Sequence, residues 1–181
     1  MVLSRLFKIC SRGKVDAVKA LLDRGENVNS RNREKETVLI WSIVLMSVHR
    51  TANYEAILKL LLEQPSIEVN LTDDKGATAL HVATVYRNIT AVRLLLADQR
   101  VDVNCKNCDQ STPLILASEG EQDFDAIKLL LTEQGVDVNW ADVPKTIGDM
   151  TALVLKELIH HPSIDLNVKD KNGLSIDDLM R

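Results

Sequence analysis

Aromatic side chains are scarce in this sequence, because Phe, Trp and Tyr together make up only 3% of its 181 residues. Hydrophobic residues nevertheless reach 45%, so the core must be built mainly from Leu, Ile, Val and Ala, as packed helices usually are. Long apolar runs are also missing, since the longest covers residues 38–48 and contains two serines. A bilayer-spanning helix needs about 20 apolar residues, so this run predicts a buried helix.

Positive and negative charges are also nearly balanced in this sequence. The 22 Lys and Arg residues face 26 Asp and Glu residues, for a formal net charge of −4. This balance gives no general attraction to nucleic acid or to an anionic membrane. Residues 1–14 hold no uninterrupted apolar segment, which argues against a signal peptide. The three cysteines follow no disulfide framework, which fits a reducing compartment. We expect a soluble cytoplasmic protein, and a nuclear location is the alternative.

Motifs of catalysis are missing too. G-x-S-x-G, H-E-x-x-H and G-x-x-x-x-G-K-[ST] do not occur, and the seven glycines are scattered. Cys105 and Cys108 form a lone C-x-x-C, whereas a structural zinc site needs four ligands and a redox motif needs a helix directly after its first Cys. We therefore predict a non-enzymatic protein without metal or cofactor, and interpret the two cysteines as turn residues.

A recurring phrase is the strongest positive feature. LLLEQPSIEVN, LLLADQRVDVN and LLLTEQGVDVN end at Asn70, Asn104 and Asn139, and weaker copies end at Asn29 and Asn167. The steps between these asparagines are 41, 34, 35 and 28 residues. Self-similarity at this period indicates one supersecondary unit stacked on copies of itself. Function should therefore lie on a shared surface rather than in an enclosed pocket.

Each unit contains the signals of two helices. In the clearest copy, Gly76 suits a tight turn, Thr78 can cap a first helix, and the polar pair at 87–88 ends it. An apolar stripe over residues 89–96 follows as the second helix. In the next copy Pro113 sits just inside the start of a helix, where its missing N–H costs nothing. Neither helix pair can bury both of its faces alone, so neighbours must stack.

The segment TALHVA at residues 78–83 resembles the T-P-L-H-x-A signature of ankyrin repeats, with Ala in place of Pro. TPLILA at 112–117 is similar to it, with Ile in place of His. Together with the Leu-Leu-Leu and Asp-Val-Asn phrases, the resemblance covers nearly the whole chain. It implies an all-α ankyrin-repeat solenoid of stacked helix-turn-helix units with turn fingers, in one domain over 1–181. It also implies that His81 is structural and hydrogen-bonds the capping threonine.

Three units depart from the repeat length. The first lacks a preceding turn and resembles an N-terminal capping repeat. The second is about eight residues too long, and we expect the excess near 46–53 to form a long loop between its helices. The fifth is too short, which predicts a single helix near 149–160. The units are then 1–31, 32–72, 73–106, 107–140, the shortened 141–168, and a C-terminal half repeat at 169–181.

The resemblance implies that another protein binds along the concave side, on the turn tips and the exposed face of the first helices. Interface energy concentrates in a few aromatic and Arg residues, which favours Tyr86 and Arg33. Trp140 is either a partner anchor or fills the space left by the missing helix, whereas Trp41 is expected in the core. The candidate partner-binding residues are Arg33, Glu34, Glu36, Asp74, Lys75, Ala77, Val85, Tyr86, Cys108, Asp109, Ser111, Glu119 and Trp140.

Asparagines that end the Asp-Val-Asn phrase of ankyrin repeats can be substrates of an asparaginyl hydroxylase in animals. The positions that match, each with an acidic residue two places earlier, are Asn70, Asn104, Asn139 and Asn167. Hydroxylation of these residues is a further hypothesis.

We predict a monomeric scaffold, adaptor or inhibitor that presents a rigid surface to a protein partner. The alternative is a regulatory or targeting module of a larger enzyme or effector. The repeat phrase serves stacking, so it identifies neither the partner nor the pathway.

Overall fold

The computed structural model describes residues 4–49, 51–119, 124–133, 135–138 and 162. The chain forms two compact units, Met1–Asp102 and Val103–Arg181. The helices of the first unit are α1 (Arg5–Cys10), α2 (Val15–Leu22), α3 (Val38–His49), α4 (Ala52–Leu62), α5 (Ala79–Val85) and α6 (Ile89–Leu96). Those of the second are α7 (Pro113–Glu119) and α8 (Phe124–Leu131). Within the described ranges the one bridge is an isolated antiparallel pairing of Arg31 with Thr37, and the all-α prediction is confirmed.

The six helices of the first unit form two rows. α1, α3 and α5 pack against one another in order, α2, α4 and α6 do the same, and each helix also packs against its partner in the hairpin. The rows meet over an aliphatic core, in which each fully buried Leu or Ile contributes roughly 1.5–3 kcal/mol. Its fully buried large side chains are Leu6, Leu39, Ile40, Ile43, Ile57, Leu58, Leu61, Leu80 and Leu95. The stacking predicted from the short helices is thereby confirmed for this unit.

The four first helices that the structure describes each begin after a capping hydroxyl. The side chains of Ser4, Thr37 and Thr112 each accept a hydrogen bond from the backbone N–H three residues on, at 3.2, 3.1 and 3.3 Å. Thr78 does the same for His81, whose imidazole Nδ1 accepts in return from the Thr78 backbone N–H at 3.2 Å. Such caps contribute about 1 kcal/mol each. The buried His81 is therefore structural, as the resemblance implied.

The long loop predicted near 46–53 is wrong. α3 continues to His49 and α4 begins at Ala52, and these helices have 12 and 11 residues where α5 and α6 have 7 and 8. The eight excess residues are thus helical. Residues 38–49 and 52–62 contain no Gly or Pro, so neither helix holds a residue that breaks it early. Ser42 and Ser47, which interrupt the apolar run, donate their hydroxyls back to helix carbonyls at 2.7 and 2.8 Å.

Trp41 is half-buried rather than fully in the core. Its ring stacks on Phe7 with a centroid distance of 6.0 Å, and its indole N–H donates to the Ser11 hydroxyl at 2.9 Å. Since a buried indole needs a partner for its N–H, the ring lies at the edge of the α1–α3 contact, where Ser11 supplies one.

In the described part of the chain, three asparagines that close the repeat phrase join one repeat to the next. Asn70 Nδ2 donates to the carbonyl of Arg100 at 2.8 Å, and its Oδ1 accepts from the N–H of Asp102 at 2.9 Å. Asn29 and Asn104 make the same two bonds within their own units. Their partners are Ser66 and Glu68 for Asn29, and Gly135 and Asp137 for Asn104, at 2.7–2.9 Å. We call this arrangement the asparagine clamp.

Three turns that precede first helices share one geometry. The leading residues are Asn32, Asp73 and Asn107. In each turn, the Oδ1 atom of the leading residue accepts from the backbone N–H four residues on at 2.8–2.9 Å. Its own N–H donates to the carbonyl of that residue at 3.0 Å. Asn and Asp favour such local bonds, and the turn fingers implied by the resemblance are present.

The fourth residue of each finger has a left-handed backbone. Lys35, Gly76 and Gln110 have φ values of 58°, 74° and 61°. Only glycine adopts this region without a steric cost. The three fingers therefore have the same shape, but the backbone is strained at Lys35 and Gln110 and not at Gly76.

We predict that Asn70→Ala lowers the free energy of unfolding by about 1–2 kcal/mol, because two clamp bonds are lost. Asn53→Ala is the matched control, since Asn53 is exposed in α4 and alanine is the better helix former. Urea unfolding followed by circular dichroism measures both. Equal stability of the two variants would contradict a stabilising role for the clamp.

Substitutions at the left-handed finger positions should act in opposite directions. Gly76→Ala should destabilise the fold by about 1 kcal/mol, because alanine meets the steric cost that glycine avoids. Lys35→Gly should leave stability unchanged or raise it by up to about 1 kcal/mol. The urea concentrations at half-unfolding of the two variants measure these changes in stability. A loss of stability in both variants would contradict a steric cost of the left-handed backbone at Lys35.

Candidate functional site

The first two fingers lie side by side in the first unit. The backbone N–H of Asp74 donates to the carbonyl of Glu34 at 3.0 Å, which joins one finger tip to the other. The candidate residues at the finger tips are exposed, namely Arg33, Glu34, Asp74 and Lys75. Those at the finger bases, Glu36 and Ala77, are half-buried. We call the four exposed residues the finger patch. It carries two cations and two anions, so it offers polar contacts of both signs.

Glu36 has an altered acidity at the base of the finger patch. Burial raises the pKa of its carboxyl above the usual 4.5, a hydrogen bond from the Asn32 side chain lowers it, and the negative charges of Glu34, Asp73 and Asp74 raise it further. The first cause is the largest, so the net pKa is raised. Protonation of Glu36 is therefore easier in the folded chain than in the unfolded one.

Val85 and Tyr86 lie at the other end of α5. Asp74 and Lys75 precede the first residue of this helix, whereas Val85 is its last residue and Tyr86 its C-cap. Seven residues of α-helix rise about 10 Å. The predicted surface is therefore divided within the first unit into the finger patch and a second patch around Tyr86.

Tyr86 lines a groove with a volume of about 530 Å³. One wall consists of Met46 and Ser47 from the extended end of α3, with residues 51, 52 and 55 from the start of α4. Residues 86–90, which run from the C-cap of α5 into the first turn of α6, form the other wall. The Asn88 side chain links the walls by donating to the Ser47 hydroxyl at 3.0 Å. The lining of the groove combines hydroxyl-bearing and apolar side chains.

The sequence prediction named only Tyr86 among these groove residues. The α3 wall was missed because residues 46–53 were predicted to form a loop. The absence of Gly and Pro in this segment was the signal that could have revealed the extended helix and, with it, the groove.

In the second unit, Cys108 and Asp109 are exposed at the tip of a finger. Ser111 is only 3% exposed, so its predicted place on a binding face is wrong. Its backbone N–H donates to Asn107 Oδ1 and its carbonyl accepts from the Asn107 N–H. Ser111 therefore closes the base of the finger. Glu119 is the last residue of α7, and its side chain lies outside the described part of the chain.

The other chemical candidates have structural surroundings. Burial raises the pKa of the Cys10 thiol to about 12, which keeps it protonated at neutral pH. Cys105 is half-buried near Cys108 in the sequence. Among the residues that the structure describes, no three or more His, Cys, Asp and Glu side chains are grouped so as to hold a metal ion. No helix in the same ranges has both the length and the apolar character needed to cross a bilayer.

Two of the four predicted hydroxylation positions, Asn70 and Asn104, use their carboxamides in the asparagine clamp. Hydroxylation of either residue stays a prediction. Asn139, Asn167 and Trp140 lie outside the described residues. The same holds for the predicted units at 141–168, apart from residue 162, and 169–181.

Comparisons with known proteins agree with the helical pairs and fingers. A family model described as Ankyrin repeats (3 copies) matches residues 45–142, which is more than half of the chain. The human protein transient receptor potential cation channel subfamily A member 1 is 33% identical over 85 residues. That match covers 47% of this chain but 7% of the human protein. The chain thus spans less than a tenth of the length of this relative.

We predict that Glu36→Gln stabilises the fold at pH 7 and not at pH 4. The folded pKa of Glu36 is raised above 4.5, so its contribution to stability is full below 4.5 and is lost as the pH rises through the folded value. Glutamine imitates the protonated carboxyl and avoids that loss. Urea unfolding at the two pH values measures the difference, and an equal or larger gain at pH 4 would contradict the burial of this carboxyl.

Proposed function

Since this chain belongs to the ankyrin-repeat family, whose members are generally protein–protein interaction modules, we propose that it binds another protein through two patches at the ends of α5. These are the finger patch and the groove beside Tyr86. Neither patch has a catalytic role. The protein then works as a scaffold, an adaptor or an inhibitor that covers part of its partner.

The observation that carries this proposal is a set of exposed apolar side chains at one end of the first helices. Val48, Val85 and Tyr86 are 64%, 60% and 47% exposed. Val48 belongs to the last turn of α3, Val85 and Tyr86 end α5, and these two helices pack side by side. A single exposed hydrophobic residue needs no explanation, but several at adjacent helix ends favour an interaction surface. Tyr86 also has the residue type in which interface energy concentrates.

Rigidity supports the same function. The asparagine clamp and the two helix rows fix the first unit before any partner arrives. Little conformational entropy is then lost on association, so a modest contact area suffices for binding. We keep a cytoplasmic or nuclear location and a monomeric state as predictions that accompany this proposal.

Site-specific photo-cross-linking in the native cell tests the proposal. A benzoylphenylalanine placed at Tyr86 should form a discrete adduct with a protein partner, and one at Lys75 should capture the same partner. The control position is Arg93, which is exposed on α6 in the other helix row. Adducts at position 93 that match those at 86, or none at 86 and 75, would contradict the proposed surface.

The alternative function is a regulatory or targeting module of a larger enzyme or effector. It is supported by the human relative, in which the similar segment is 7% of the protein. The native open reading frame separates the two functions. A frame that extends into an enzymatic or effector domain favours the module, and one that ends at Arg181 favours the independent binding protein.

A further inference from the structure

We propose that the groove beside Tyr86 recognises a protein segment in which an acidic side chain lies next to an apolar one, and that the guanidinium of Arg87 binds the carboxylate. This inference rests on the proposed function and adds the chemistry of the partner.

Arg87 stands where another repeat of the same chain has glycine. It precedes Asn88, the N-cap of α6, and its backbone is left-handed with φ 53°. Gly13 precedes Lys14, the N-cap of α2, and has φ 62°. The two turns also share a hydrogen bond, since the N–H of each residue donates to the carbonyl three residues earlier, at 2.8 Å for Arg87 and 2.9 Å for Gly13. The two turns thus share a left-handed residue before the N-cap and the hydrogen bond that this residue donates.

A left-handed backbone disfavours arginine and suits glycine. The first repeat shows that glycine is compatible with this turn. Strained backbones that persist tend to lie at functional sites. Lys35 and Gln110 adopt the same backbone region in the fingers, so the backbone of Arg87 marks the position as unusual for arginine, and the groove around it supplies the argument for a role of its side chain.

The two charged residues that line the groove, Glu55 and Arg87, differ in whether they have a partner within the chain. Glu55 forms an exposed ion pair with Lys59 on the next turn of α4, with 2.7 Å between Oε1 and Nζ. Arg87 is exposed and forms no ion pair or side-chain hydrogen bond with any residue in the described ranges. Its guanidinium is therefore available, and a carboxylate can accept two parallel hydrogen bonds from it.

Part of the remaining lining can contact an apolar neighbour of that carboxylate. Met46, Ala52, Tyr86 and Ile89 line the groove together with hydroxyl-bearing residues. Its volume of about 530 Å³ falls within the roughly 300–1,000 Å³ of typical ligand pockets. A segment with an acidic residue close to Leu, Ile or an aromatic residue can satisfy both the guanidinium and the apolar wall.

Selection from a displayed library of random peptides on the full chain tests this inference. The peptides that are enriched should carry Asp or Glu within a few residues of a large apolar side chain. Their synthetic versions should bind wild type in a direct titration and lose affinity when Tyr86 is replaced by Ala.

Three variants isolate the role of Arg87. Arg87→Glu should weaken binding by at least about tenfold, and peptides whose acidic residue is changed to Lys should then prefer this variant over wild type. Arg87→Gly should weaken binding similarly while leaving the unfolding temperature unchanged or raised, because glycine suits the turn. Arg93→Glu carries the same charge change on the exposed side of α6 and should bind as wild type does.

Other outcomes overturn the inference in distinguishable ways. Peptides that depend on Tyr86 but not on Arg87, or basic peptides that depend on Glu55, would retain the proposed function and reject the acidic partner. Self-association of the chain that is abolished by Arg87→Glu would make a second copy the occupant of the groove and also reject it. Enrichment of no peptide, or only of peptides indifferent to both Tyr86 and Arg87, would reject the groove as a binding site altogether.

Discussion

Sideways packing of one helix pair on the next is the constraint on which the first unit depends. Its helices have 6 to 12 residues, and isolated helices of this length are marginal in water. Their leucines and isoleucines become fully buried only between neighbouring pairs. Stability is then a sum of contacts between adjacent units. The helix surfaces inside the rows are committed to this packing, whereas the finger tips and the helix ends keep exposed side chains, and both proposed binding patches lie there.

Much of this architecture was predictable because it follows from local chemistry that every copy repeats. Thr78 caps its helix, Pro113 begins one, and the spacing of Asn70 and Asn104 reports the repeat. The extended α3 was not predicted, since the length of the second unit was interpreted as an insertion between helices. The length of a repeat shows how many extra residues it has, but it does not show whether they form a loop or lengthen the helices. The missing helix breakers in 38–62 carried that information.

The candidate site was less predictable than the fold. Tyr86 could be selected by residue type, but the groove beside it depends on Met46 and Ser47, which belong to another repeat. Ser111 was selected by position, yet its backbone bonds to Asn107 close a finger and bury it. A finger residue is exposed at the tip and buried at the base. The sequence pattern identifies the finger but does not distinguish its tip from its base. Arg87 was overlooked because only an alignment of its turn with that of Gly13 shows that the residue is unusual.

The asparagine clamp keeps its geometry while the chain between its ends changes length. Asn29 reaches partners 37 and 39 residues away, and Asn70 reaches equivalent partners 30 and 32 residues away. The longer α3 and α4 lie inside the first of these intervals. Each of these asparagines thus makes the same two hydrogen bonds to the next repeat, whatever the length of the chain between them. During evolution, duplication of a gene segment that encodes one whole repeat would supply both halves of the clamp at once, so arrays of this kind can grow unit by unit while individual units diverge in size.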